Sequence, residues 1–273
     1  MTSEETYIVT GATGGIGSAI TRGLIAAGAR HVVLACRNTR RAEEMIAQLG
    51  ATGCRLEARE LDLMGLDSVR RFAAGIIASG YKISTLFNNA GIMPGGVTLS
   101  ADGYEAATQT NLVSTVMLTE LLLPAMADGG SIVFTTSMTR RIARFRRDWA
   151  AIAVSRHNRF VTYGRSKKLL TAYALQLSAR LAPRGIRVNC SDPGIVDSGI
   201  ITMGHPLIDR LCNLLFRPVI YTPAQGAAPA LAAATSTATA RIHTLRRSRP
   251  IAPSYAAPLP SSLISALLAS LPR

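Results

Sequence analysis

No two cysteines in this chain form a Cys-x-x-Cys pair; the four present, Cys36, Cys54, Cys190 and Cys212, are scattered. That spacing excludes a zinc ribbon or a paired redox motif, and it leaves reduced core thiols in a cytoplasmic protein as the expectation, with no metal site. No basic-then-apolar leader precedes the first predicted strand and no apolar stretch reaches about 18 residues, so neither export nor a spanning helix is expected. Charged residues are few, at 17% against 48% hydrophobic ones, which excludes disorder over most of the length and supplies material for a large buried sheet. Acidic groups are scarcer still: 16 stand against 30 lysines and arginines, a net charge of +14. The densest basic cluster is Arg140, Arg141, Arg144, Arg146 and Arg147. A solvated basic surface, an anionic substrate and an anionic membrane surface are the readings of that cluster. Nucleic acid is not expected, because no zinc-finger spacing, aromatic stacking run or RNP-type motif accompanies the charge.

At 273 residues the chain is expected to form one domain. Short apolar runs rich in branched or aromatic residues read as buried parallel strands: Tyr7 to Thr10, His31 to Cys36, Arg55 to Glu60, Thr85 to Asn89, Ser131 to Thr136 and Ile186 to Cys190. Between them, Ser18 to Ala27, Arg41 to Leu49, Leu66 to Ser79, Tyr104 to Met126 and Thr162 to Leu181 show helical spacing. That alternation predicts an α/β fold, a doubly wound and mostly parallel sheet with helices on both faces. Gly28, Gly50 and Gly80 are placed to close helices with left-handed caps. Three segments break the rhythm: an arginine-rich insertion at 138–160, an apolar lid segment at 199–222 with Leu207, Ile208, Leu211, Leu214 and Leu215 at helical spacing, and a tail at 248–273 read as irregular. Arg241 to Leu245 is a candidate for a last strand.

The run Thr10-Gly-Ala-Thr-Gly-Gly-Ile-Gly17 follows the first predicted strand and opens the first predicted helix. Gly11, Gly15 and Gly17 there would let the backbone approach a pyrophosphate, with the free N–H groups of a helix N-terminus pointing at it. An acidic residue at the end of the second strand would accept from a ribose hydroxyl and favour NAD. This chain instead has Ala35-Cys36-Arg37-Asn38, and Arg37 can pair with a 2′-phosphate, which points to NADP over NAD. The alternative is a surface arginine in a loop that also holds Arg40 and Arg41.

Tyr163 and Lys167 stand four residues apart, so on a helix they share a face. An ammonium about 4 Å from the phenol, at an effective dielectric of about 20, is worth roughly 4 kcal/mol. That equals about three pKa units, enough to bring a phenol from about 10 to near 7, where it can exchange a proton at cellular pH. Lys168 is adjacent but lies on another face.

With these motifs in this order, the chain resembles the short-chain dehydrogenase/reductase family over roughly Thr6 to Leu231. The resemblance implies a Rossmann fold and extends the site. Asp62 with Leu63 would lie beside the adenine ring, and Asn88-Asn89-Ala90-Gly91 would form the turn next to the cofactor. Asn111 would hold a water in a proton relay, and Ser137 would be the catalytic serine, with Thr135 and Thr136 as neighbours that could be confused with it. Tyr163 and Lys167 match the catalytic pair, and Pro193-Gly194 with Ile195 and Ser198 matches the segment beside the nicotinamide. Thr13 and Ile16 complete the contacts of the glycine turn. Ser198 stands where the family usually has threonine, and the glycine turn lacks the basic residue that many NADP-using members place there. Within the family, Ala35-Cys36-Arg37, the stretch Ser100 to Glu105, Tyr-Gly-Arg-Ser-Lys and the 26 residues from Ser137 to Tyr163 are most similar to the retinol dehydrogenase and protochlorophyllide reductase-like branch.

The resemblance implies hydride transfer between a nicotinamide and a small-molecule alcohol or carbonyl substrate, with Tyr163 as acid/base, Ser137 on the substrate oxygen and Lys167 on the phenol. Relatives often pair through helices that would here be Tyr104 to Met126 and Thr162 to Leu181, which implies a homodimer or homotetramer. The alternative is a sensor or scaffold that binds NAD(P) without turnover.

Overall fold

Along β1 (Glu5–Thr10) the side chains alternate between two buried faces, Ile8 entering one core and Val9 the other. The same alternation recurs at Leu86 and Phe87 in β4 (Lys82–Asn88) and at Ile132 and Val133 in β5 (Met126–Thr135). Period-two burial on both sides requires a sheet with helices on each face. The structure, a computed structural model, describes residues 5–141, 143, 158–196 and 220–256.

Eight strands form one sheet in the order β3-β2-β1-β4-β5-β6-β7-β8. The remaining strands are β2 (His31–Cys36), β3 (Arg55–Glu60), β6 (Arg187–Ser191), β7 (Arg241–His243) and β8 (Ser248–Pro250). Every pairing is parallel except β7 with β8. One core packs Ile8, Leu86 and Phe134 against α3 (Leu66–Ala78), α5 (Ser114–Leu122) and α6 (Arg159–Arg180) through Phe72, Val116, Leu170 and Tyr173. The other packs Val9, Leu34 and Phe87 against α1 (Gly15–Ala26), α2 (Thr39–Leu49) and α7 (Pro223–Thr235) through Ile20, Met45 and Ala230. The strand order reverses between β1 and β4, which opens a crevice at the carboxyl ends of the strands.

The predicted doubly wound sheet is therefore present, with local differences. The helix expected over Tyr104 to Met126 is broken: α4 (Ala106–Thr108) runs into a π-helical turn, Gln109–Val113, before α5, and a 3₁₀ turn follows at Leu123–Ala125. Pro124 in that last turn has no N–H to continue the ladder. Met126, expected in the helix, starts β5.

Helix α6 starts before its expected first residue because Asn158 caps it, its Oδ1 accepting from the N–H groups of Phe160 and Val161 at 3.0 and 3.2 Å. Helix α7 opens with a capping box in which Thr222 and Gln225 satisfy each other's backbone N–H groups. Gly28, Gly50 and Gly80 all take positive φ, but Gly50, at φ 66° and ψ −155°, lies outside the left-handed helical well.

The tail read as irregular is ordered at its start. Ser248–Pro250 pairs with β7, and Pro253–Ala256 forms a 3₁₀ turn. Arg241 fastens the hairpin by donating from Nε to the Ser248 hydroxyl and from Nη2 to the Ser248 carbonyl. The charged, exposed β8 carries no hydrophobic alternation, and Pro250 is tolerated because it ends a strand at the sheet's edge. Arg144, Arg146 and Arg147, Cys212, the apolar residues Leu207 to Leu215 and the tail from 257 onward lie outside the described residues. Among the described residues, no helix is long and apolar enough to cross a membrane.

Candidate active site

The crevice holds a cavity of about 700 Å³ that runs from Arg37 to Tyr163. Of the residues singled out in the sequence, Gly11, Thr13, Gly15, Ile16, Gly17, Arg37, Asp62, Leu63, Asn89, Ala90, Gly91, Ser137, Tyr163, Lys167, Pro193, Gly194 and Ile195 all line it. Asn111 is fully buried behind its wall. Ser198 lies outside the described residues.

At one end the glycine turn is crowded enough to exclude any side chain. Gly11 sits at φ 64°, and a Cβ on Gly17 would stand 2.2 Å from the Gly11 carbonyl oxygen and 2.9 Å from Ala12 Cα. Helix α1 begins beside this turn, with Gly14 at its cap and no side chain bonded to its first N–H groups. Bare backbone donors at a positive helix end suit a phosphate. The turn therefore fits the pyrophosphate of a dinucleotide. Arg37 is joined there by Arg41 in the first turn of α2, which Asn38 caps by accepting from the Arg41 N–H at 3.1 Å. Arg41 was passed over in the sequence as one of several loop arginines; its place three residues after a capping asparagine was the available signal.

The cavity's middle is built from two tied strand ends. Thr10 Oγ1 accepts from the N–H groups of Asn89 and Ala90, both at 3.0 Å, while the Asn89 amide donates to the Thr10 carbonyl at 2.9 Å. Asp62 uses its carboxylate on its own turn, accepting from Met64 N–H at 2.9 Å, and the Leu63 carbonyl accepts from the Ser114 hydroxyl.

At the far end, Asn111 lies in the π-helical turn and reads the backbone of Ile92: Oδ1 accepts from its N–H at 2.8 Å, and Nδ2 donates to its carbonyl at 2.9 Å. Beside it, a Cβ on Gly91 would meet Lys167 Nζ at 3.1 Å and Asn111 Oδ1 at 3.2 Å. Lysine and asparagine thus converge on a residue with no side chain to part them.

Lys167 Nζ donates to the Thr135 carbonyl at 2.8 Å. The Thr135 hydroxyl pairs with that of Ser191, and the Thr136 hydroxyl donates to the Ser191 carbonyl, so both face β6. Ser137 is the hydroxyl that reaches Tyr163, and it also accepts from Thr139 Oγ1 at 3.1 Å.

Burial pushes the Tyr163 phenol up to about 12; its hydrogen bond with Ser137 opposes that shift and the Asp192 carboxylate adds to it. Burial pushes Lys167 down to about 8, opposed by Cys190 and Asp192. This corrects the expectation of a phenol near neutrality. The ammonium lies 5.6 Å from the centroid of the Tyr163 ring and spends a hydrogen bond on Thr135, and the same burial that disfavours phenolate also disfavours the ammonium's charge.

Residues that sequence reasoning missed border this end: Met93, Met138, Thr139 and Phe160. Phe160, one turn ahead of Tyr163, is 38% exposed and Met138, next to Ser137, is 51% exposed, which makes them apolar contacts open to a ligand. Their position beside predicted site residues, at an insertion, was the only sequence signal.

Residues 5–203 match the sequence profile of the short chain dehydrogenase family. A dehydrogenase/reductase SDR family member of Arabidopsis thaliana, FEY, is 32% identical over 85% of this chain and 65% of its own length. Retinol dehydrogenase 14 of Mus musculus is 31% identical over 82% of this chain and 71% of its own length. The chain thus spans about two thirds of the length of these curated relatives. Among solved structures, a short chain dehydrogenase from Burkholderia cenocepacia in complex with NADP superposes with a TM-score of 0.68 at 25% identity, covering 88% of this chain and 95% of that one.

Proposed function

The chain belongs to the short-chain dehydrogenase family of oxidoreductases, and from that premise we propose an NADP-dependent enzyme that interconverts an alcohol and a carbonyl compound with Tyr163 as the acid/base. The observation that carries this reading is the meeting of the Ser137 hydroxyl, the Tyr163 phenol and the Lys167 ammonium at one end of a cavity whose other end presents Arg37 and Arg41.

When bound, NADP supplies or accepts the hydride. The glycine turn and the α1 N-terminus would hold its pyrophosphate, while Arg37 and Arg41 would pair with the 2′-phosphate. Ser137 donates a hydrogen bond to the substrate oxygen and stabilises charge developing there. In the reductive direction Tyr163 gives its phenolic proton to that oxygen; in the oxidative direction it takes the proton back. Lys167 favours the phenolate left behind and reprotonates it, and Lys167 would then regain a proton from solvent on the side held by Asn111. Met93, Met138 and Phe160 favour a substrate with an apolar body, in keeping with a relative named for retinol.

The test is NADPH oxidation with all-trans-retinal and a panel of apolar ketones, comparing wild type with Tyr163→Phe. The variant is expected to lose about 10²–10⁴ of the rate while still binding NADPH. Equal rates would remove Tyr163 from the chemistry. NADPH binding without turnover of any carbonyl would favour a nucleotide sensor or scaffold instead.

A further inference from the structure

Behind the reactive groups lies a buried ion pair that the mechanism above does not use. Arg140, in the 3₁₀ turn Met138–Arg141 after β5, and Asp192, directly after β6, are each 3% exposed. Arg140 Nη1 donates to Asp192 Oδ2 at 2.5 Å and to the Ser137 backbone carbonyl at 2.6 Å. The other Asp192 oxygen accepts from the Gly194 N–H at 3.2 Å, in the Pro193-Gly194 turn. A single guanidinium nitrogen therefore joins the residue that carries the Ser137 hydroxyl to the loop across the cavity.

Burial at this depth argues against stability as the pair's purpose, because desolvation of two ions offsets most or all of their attraction. Its surroundings suggest another purpose. Lys167 feels the charge of Asp192 and of Cys190 in β6, donates to the Thr135 carbonyl of β5, meets Asn111 across Gly91, and lies over the Tyr163 ring of its own helix. Burial pushes the Cys190 thiol up to about 12, so it is neutral at cellular pH. Asp192 is then the carboxylate that acts on both Lys167 and Tyr163.

We propose that Arg140 and Asp192 are positioning residues: the pair clamps Ser137 against the Pro193-Gly194 turn, and the Asp192 carboxylate counterbalances the Lys167 ammonium. The idea rests on the reading of Tyr163 and Lys167 as the reacting groups, but its electrostatic half is measurable without substrate or cofactor.

Lys82, Lys167 and Lys168 are the chain's three lysines, so ¹³C-lysine NMR of the intact protein follows Lys167 alone once Lys167→Arg assigns its signal. In wild type the Lys167 titration midpoint is expected near 8. Asp192→Asn keeps the shape and the acceptor for Gly194 and removes the charge; the midpoint is expected to fall by about one pH unit. Arg140→Lys keeps the charge and, because both bonds come from one nitrogen, can remake them; with its added signal assigned by the Arg140→Lys/Lys167→Arg double variant, the Lys167 midpoint should stay at the wild-type value. The double variant Arg140→Gln/Asp192→Asn removes both charges, and its midpoint should lie between those of wild type and Asp192→Asn, which supplies the sign if the single variant does not fold. In the retinal assay, Asp192→Asn is expected to lower kcat about tenfold, whereas Arg140→Lys should keep most of the wild-type kcat. An unmoved or raised Lys167 midpoint in Asp192→Asn overturns the proposal. So does failure of both Asp192→Asn and the double variant to fold, which would make the pair a folding element. A shifted midpoint with no retinal turnover in wild type would instead count against the proposed reaction alone.

Discussion

Asn111 and Ile92 exchange two hydrogen bonds, side-chain amide to peptide, at 2.8 and 2.9 Å. The amide mimics a neighbouring strand and holds the segment after Gly91 where Lys167 can approach it. Asn111→Ala removes the partner of both Ile92 groups, which lie partly buried at the cavity wall. The expected cost is about 2–4 kcal/mol, read from urea unfolding, with weaker NADPH binding measured in parallel. A loss below about 0.5 kcal/mol would mean the segment is held by something else.

Gly17→Ala places a methyl 2.2 Å from the Gly11 carbonyl oxygen, a backbone atom that cannot step aside. The turn must open, and NADPH affinity measured by nicotinamide fluorescence is expected to fall at least tenfold, about 1.4 kcal/mol. Unchanged affinity would show that the pyrophosphate does not sit against this turn.

Lys167 leaves a pH signature on stability. Burial lowers it from an ordinary 10.5 to about 8, so between those values the unfolded chain holds a proton that the folded chain has released. Stability therefore rises with pH across this window, by up to about 1.4 kcal/mol per unit, and the full burden of burying the charge is present below it. Other groups titrate in the same range, so the signature is the difference in unfolding free energy, wild type minus Lys167→Met. That difference is expected to climb from pH 8 to 10.5. A flat difference would place the ammonium in water.

Arg37 and Arg41 are expected to divide the work of selecting the cofactor. Arg37→Asp should lower the ratio of NADPH to NADH affinity by about 30-fold or more, since a charge-assisted bond of about 1.5–3 kcal/mol is replaced by repulsion. Arg41→Ala should lower the same ratio less. Equal calorimetric affinities of wild type for the two cofactors would refute this reading of Arg37.

The strands were legible because each needs only a short branched run and a place in the alternation. His31–Cys36 and Arg55–Glu60 match their expected bounds. The glycine turn, Ser137, Tyr163 and Lys167 were legible as motifs, and the fold brings them to one cavity. Other features were hidden for physical reasons. The π-helical turn at Gln109–Val113 leaves no mark in hydrophobic spacing because every residue in it is buried. Strand β8 is held by Arg241 and its own turn bonds, not by apolar alternation. The near-neutral phenol failed as an expectation because pairwise attraction was weighed without the burial that acts on both partners. Arg140 looked like one member of a surface cluster, yet it is buried against a carboxylate 52 residues away.

The surplus residue wound into Gln109–Val113 makes chain length, more than composition, the sensitive variable there. Substitutions at Thr110 or Leu112 alter packing, whereas deleting one residue would restore ordinary winding, leave α4 and α5 in phase, and withdraw the bulge that carries Asn111 toward Ile92. Asn111 would then face away from Ile92 with its chemistry intact and its address wrong. Gains and losses of single codons should be purged from this turn more severely than point changes are.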